Sequence, residues 1–184
     1  MTRLWEIFDR AGPEVFLFVL GVAVVAAVLA AIGLRYAAPL AQVVLVVVVI
    51  ASVTLVLYTT MRPAAASGVR LRPHLNPLPT FSAVLDGGPG SIVFQQALGN
   101  LLLMLPFACA LTLLAGWRAA LVSSLVFSVS VEIAQWVLAT GRLAETSDVV
   151  LNVTGAAVGI GIAVAALKVV GVPAPRLAVT VRAP

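Results

Sequence analysis

Long apolar stretches separated by short polar links make up most of the chain. No charge stands between Glu14 and Arg35, Arg35 and Arg62, Asp86 and Arg118, or Asp148 and Lys168. Each gap is about the length that crosses a ~30 Å hydrocarbon core as a helix. Backbone in lipid must satisfy its own hydrogen bonds, and the alternation of a barrel strand is absent, so the spans are predicted to be helices. Five are expected, at about 14–34, 39–58, 91–114, 118–138 and 148–168. Pro39 suits the first turn of the second, where its missing N–H costs no hydrogen bond. The links 35–38 and 115–117 are short enough to make antiparallel hairpins of spans one and two, and of spans three and four. The connection 60–90 is long, rich in Pro, Gly and Arg, and too polar for hydrocarbon.

Within the apolar runs the polar residues fall into register. Gln96 and Asn100 are four apart and share a face of the third span. Ser124, Ser128 and Glu132 repeat every four residues along the fourth, and Gln135 continues the stripe. On the fifth, Asp148, Asn152, Gly155 and Gly159 lie on one face, and the two glycines make a small-xxx-small seam for close helix packing. The depths agree too. At 1.5 Å per residue, Glu132 sits about 9 Å, Asn152 about 6 Å and Asn100 about 13 Å below the ends of their helices on one side of the membrane. Three helix faces thus offer polar groups to one layer. A charge at bilayer depth costs roughly 2.5–3.5 kcal/mol on insertion scales unless it is paired or wetted, so Glu132 demands an explanation.

Composition strengthens the membrane reading: of 184 residues, 62% are hydrophobic and 10% charged, whereas soluble domains are nearer half apolar and one quarter charged. The first apolar run starts after LWEIFDRAGPE and lacks a small-residue cleavage site, which predicts an anchor and not a signal peptide. The net charge of +4 suits a membrane surface, and no basic run is dense enough for nucleic acid. Cys109 is the single cysteine and lies in an apolar segment, which reads as a buried structural thiol. No nucleotide loop, metal-ligand pair or Gly-x-Ser-x-Gly is present, and no cofactor is expected.

Four motifs in order carry a resemblance. NPLPTF, GNLLLMLPFACAL, SVSVEIAQWVL and GRLAETSDVVLNVTGAAVGIG resemble the VanZ-like family of bacterial membrane proteins, over about residues 53–168. The resemblance implies a multi-pass protein of the bacterial cell membrane and a cell-envelope role. The family's named activity is low-level resistance to teicoplanin-type glycopeptides. Carried onto this chain, the pattern residues are Asn76, Pro77, Asn100, Pro106, Glu132, Gln135, Arg142, Asp148, Asn152 and Gly155. Thr80 stands where the family's loop usually has Phe, and Ala108 replaces a common Gly. The expected organisation is an N-terminal transmembrane scaffold over 1–52, a VanZ-like membrane domain over 53–170 and a disordered tail over 171–184, together an all-α bundle of five transmembrane helices.

The candidate ligand-binding residues are Arg70, Arg72, Asn76, Asn100, Glu132, Gln135, Arg142, Asp148 and Asn152. Glu132 admits two readings: helix glue, paired with Arg142 or hydrogen-bonded to Asn152, or a ligand or proton site. Asp148 also has two: a helix cap, since Ser147 or Asp148 lies where the fifth span would be capped, or a group of the binding site. Arg142 at the mouth of a carboxamide-lined pocket suits phosphate or carboxylate recognition. Arg70 and Arg72 are either a solvated juxtamembrane cluster or a clamp for an anionic headgroup.

Six Arg on the side of the 60–90 and 139–147 loops face five basic residues on the other. Discounting Arg70, Arg72 and Arg142 as site residues turns the positive-inside rule towards an outside N-terminus and a cytoplasmic C-terminus. Two functions follow. In one, an outward-facing polar pocket binds an anionic envelope lipid or lipid-linked precursor. In the other, an intramembrane enzyme uses Glu132 or His74 as acid/base on a phosphorylated lipid. The enzyme needs a nucleophile or metal that the motifs do not supply, so binding ranks first.

Overall fold

A computed structural model describes residues 13–61 (side chains from residue 20), 68, 72–88, 91–141, 143–173 and 175. Six helices account for almost all of them: α1 (Pro13–Tyr36), α2 (Ala38–Thr60), α3 (Leu78–Gly87), α4 (Ile92–Ala115), α5 (Trp117–Val137) and α6 (Thr146–Val170). Four of these, α2, α4, α5 and α6, are long and apolar enough to cross a membrane, and α1 adds a shorter apolar stretch over Leu20–Tyr36. The result is an all-helical, roughly five-helix membrane bundle, with span limits within two residues of those predicted. The tail beyond Pro175 lies outside the described residues, as do Arg70 and Arg142.

Two tight links set the hairpins. Ala37 alone joins α1 to α2, and its N–H donates to Gly33 O at 2.7 Å. Gly116 alone joins α4 to α5 with φ +88°, a left-handed conformation that glycine adopts without penalty. A Cβ there would also strike the carbonyl of Pro175. At the C-terminus of α6, Gly171 is left-handed, and Arg35 Nη1 donates to Val170 O at 2.6 Å. A cation on orphan helix carbonyls satisfies both hydrogen bonding and the helix dipole.

The spine of the bundle is the α4–α6 pair. Gly155 and Gly159 face the backbone of α4, and a Cβ at either would collide with the carbonyl of Leu101 or Leu105. Their small size lets the two helices meet backbone to backbone. Pro106 sits within α4, which continues through it. One core cluster gathers Ala31, Leu45, Cys109, Leu113, Ala163 and Leu167 from α1, α2, α4 and α6. A second gathers Val56, Met104, Phe107, Val131 and Ala156, from α2, α4, α5 and α6. The outer faces are apolar and open, as on α2, where Val43, Val47 and Ile50 are all more than half exposed. In a bilayer those faces meet acyl chains.

Two features differ from expectation. The long connection contains α3, a ten-residue helix. Asn76 Oδ1 accepts from Leu78 N at 3.1 Å, turning the chain into it, and proline stands in its first turn. At the start of α6, neither Ser147 nor Asp148 is the cap: Glu145 holds that position in extended conformation, without a side-chain cap bond. Ser147 and Asp148 lie inside the first turn, where the negative charge of Asp148 is favoured by about 0.3–1 kcal/mol.

Candidate functional site

Segments distant in sequence meet at the loop-side ends of α5 and α6. The strap before α3 runs parallel to the α5–α6 loop for one bridge. His74 N donates to Ala144 O at 2.9 Å, and Thr146 N donates to His74 O at 3.1 Å. Gly68 N donates to Ala139 O at 2.8 Å. These bonds pair backbone groups of the strap with those of the loop and fix the two segments to each other.

Glu132 projects from the last two turns of α5 into this junction and is 9% exposed. Its Oε2 accepts from the backbone N of Glu145 at 3.0 Å. The side chain of Glu145 makes the next connections: its Oε2 accepts from Ser147 Oγ at 2.7 Å and from Thr80 Oγ1 at 3.2 Å. Glu145 therefore ties together α5, α6 and α3. Hydrogen bonds to an ionised carboxylate run roughly twice as strong as neutral ones.

A cleft of about 190 Å³ opens beside these groups, lined by Glu132, Glu145, Leu75, Ile133, Trp136 and Val149, with a surface that is almost wholly apolar. Ile133 and Trp136 are 57% and 40% exposed on the outer surface of α5. The cleft thus borders the surface that faces lipid. Its walls suit an apolar chain, and the two glutamates stand at its polar edge.

Below the cleft, polar side chains descend α5 one turn at a time. Asn152 Nδ2 donates to Ser128 Oγ at 2.9 Å, joining α6 to α5. Ser124, fully buried a turn deeper, holds the one buried side-chain polar atom among the described residues with no hydrogen-bond partner. Gln135, on the same stripe, turns towards α2 and donates from Nε2 to Thr60 O at 2.9 Å. It closes an orphan carbonyl at the end of that helix.

The nine candidate residues are distributed unevenly. Glu132 lines the cleft. Gln135 and Asn152 are buried in helix–helix contacts close to it. Asp148 is half-buried in the first turn of α6, and Asn100 half-buried on α4 away from the cleft lining. Asn76 and Arg72 are exposed on the strap, and Asn76 spends its carbonyl on the α3 turn. Arg70 and Arg142 lie outside the described residues.

Sequence reasoning missed Glu145, Thr80 and Ser147. In the sequence Glu145 reads as one more loop charge between Arg142 and Asp148, and its partner Thr80 is 65 residues away. The available signal was Thr80 itself, a hydroxyl where the resembling motif usually carries an aromatic.

The VanZ/LLP1 family profile matches residues 43–168, the family that the four motifs resemble. No curated protein and no solved structure matches the chain.

Proposed function

This chain belongs to the VanZ/LLP1 family and is a multi-pass protein of the bacterial cell membrane, and from that premise we propose that its loop-side cleft binds an anionic envelope lipid or lipid-linked cell-wall precursor. The observation that carries this reading is the composition of the cleft. Apolar Leu75, Ile133, Trp136 and Val149 share one cavity with Glu132 and Glu145 at the membrane edge. An amphiphile matches both halves: its chain packs on the walls, and hydroxyls of its headgroup donate to the carboxylates. The phosphate stays above, with the arginines of the two loops, Arg70, Arg72 and Arg142, as its clamp. Asn76, Asn100, Gln135, Asp148 and Asn152 complete the polar surroundings, chiefly by holding the helices and loops in place. A tryptophan at this depth also suits the headgroup layer.

Orientation belongs to the same proposal. Over the full sequence the cleft side carries Arg3, Arg10, Arg62, Arg70, Arg72 and Arg142, and the opposite side carries Arg35, Arg118, Lys168, Arg176 and Arg182. With Arg70, Arg72 and Arg142 assigned to the ligand, three remain against five, and the positive-inside rule then supports a cleft outside the cytoplasm. There it meets the lipids and precursors on which glycopeptides such as teicoplanin act, and an altered supply of them is the route to resistance. Acid/base chemistry by His74 gains nothing from the geometry, because His74 is exposed and joins the site through its backbone.

Native mass spectrometry of the detergent-extracted protein tests the reading. The expected result is a retained anionic lipid in the wild type and a clear loss of it in Glu132→Gln and Arg142→Ala. In Glu132→Gln the amide oxygen would still accept the Glu145 N–H, so fold should survive while charge is removed. Glu132→Ala leaves that N–H without its acceptor, at about 1–3 kcal/mol. Arg142→Lys should restore binding only in part, since an ammonium lacks the bidentate fork. Full lipid retention in both Glu132→Gln and Arg142→Ala sinks the proposal.

A further inference from the structure

The α3 segment carries apolar surface that the bundle does not use. None of its residues is buried. Leu75, Leu78 and Leu85 are 78%, 70% and 82% exposed, among the most exposed large hydrophobics of the described residues. At about 100° per residue, the ten residues divide into three faces. Thr80, Phe81 and Val84 are half-buried and turn towards the bundle. Leu78 and Leu85, seven apart, form a second stripe. Pro79, Ala83 and Asp86 form a third, and all three are exposed. At ~1.5 Å per residue the helix is about 15 Å long, half of what a span requires.

Its position is fixed at both ends. Thr80 bonds Glu145 at the start of α6, and the helix leads at its other end to Ser91, whose Oγ accepts from Phe94 N as the cap of α4. Both attachments are at membrane-entry points of spans, so α3 lies across the surface and not along the normal. In that pose one flank meets the bundle, and the leucine stripe faces the same lipid that bathes the outer faces of the spans.

We propose that residues 75–87 form an interfacial anchor, lying in the headgroup layer with Leu75, Leu78 and Leu85 inserted at the boundary with the acyl chains. Amphipathic helices bind such boundaries through one apolar face while a polar face stays wet, and here Asp86 and Ala83 are on the wet face. The bilayer and not a second copy is the occupant, because three leucines fall well short of the roughly 1,200 Å² that a stable protein interface buries. Leu75 also lines the cleft, so the anchor holds one cleft wall at headgroup depth. This inference does not depend on which ligand the cleft takes.

Nitroxide labels on single cysteines test it in the full-length chain, reconstituted in nanodiscs of phosphatidylglycerol and phosphatidylethanolamine. Cys109 is buried and is kept, with the unsubstituted chain as the blank. Power saturation compares oxygen, which concentrates in the bilayer, with a water-soluble nickel chelate. Labels at Leu78→Cys and Leu85→Cys should favour oxygen severalfold, and labels at Ala83→Cys and Asp86→Cys should favour nickel. Nickel-favoured accessibility at both leucine positions overturns the anchor and puts α3 in water. Dipolar broadening at Leu85→Cys overturns it in favour of a second copy.

Discussion

Glu145 shows how a single loop residue can organise a membrane site. Its backbone donates to Glu132 and its carboxylate accepts from Thr80 and Ser147. Glu145→Gln keeps one side-chain oxygen that can accept from both hydroxyls and leaves the backbone bond intact, so stability should fall by no more than about 1 kcal/mol. Lipid retention should fall much further, and thermal unfolding in detergent beside native mass spectrometry separates the two effects. Retention that follows stability would make Glu145 a brace only. A second residue carries local strain: Ala139, just past α5, has φ 48°. Ala139→Gly should raise the unfolding free energy by roughly 0.5–1 kcal/mol, and Ala139→Val should lower it, because a side chain in the left-handed region is penalised. Detergent unfolding curves decide, and a stabilised Val variant would contradict the argument. The polar residues that the sequence made legible, Glu132, Gln135 and Asn152, were those spaced by the helical period. Glu145 and Thr80 were not, because their meeting depends on a tertiary loop pairing that no local period encodes.

At the scale of elements, the five spans could be placed from charge gaps alone, since hydrocarbon thickness and helix rise leave little freedom in length. Short α3 escaped because its Pro-rich opening reads as loop and its apolar residues are too few to show a period. Which glycines matter is a tertiary question as well. Gly155 lies against Leu101 of α4, whereas Gly161, two turns along α6, has open space around its Cβ direction. Gly155→Ala should therefore cost roughly 1–3 kcal/mol through forced separation of the helices, and Gly161→Ala should be tolerated. Monodispersity in detergent and the unfolding midpoint would report it. Equal tolerance of both would mean that α4 and α6 are not in backbone contact.

For the whole molecule, the cleft and the strap share one side of the membrane, and Arg35, Arg118 and Lys168 share the other. Single cysteines at Asp86 and Ala37, both exposed in their links, report the two sides. With an impermeant thiol reagent on intact cells, Asp86→Cys should label and Ala37→Cys should stay protected. The reverse pattern would move the cleft to the cytoplasm and end the envelope-ligand reading. The contact between Glu132 and the backbone of Glu145 also bears on how the protein is made. α5 emerges from the ribosome before the α5–α6 loop does, so Ser128 and Glu132 leave it while Glu145 and Asn152 are still enclosed in its exit tunnel. Until then the carboxylate carries the cost of its depth without its amide donor. Arrival of α6, which also packs on α1 and α4, brings that donor into place. The same bonds that shape the cleft thus form only in a chain whose last span is in place.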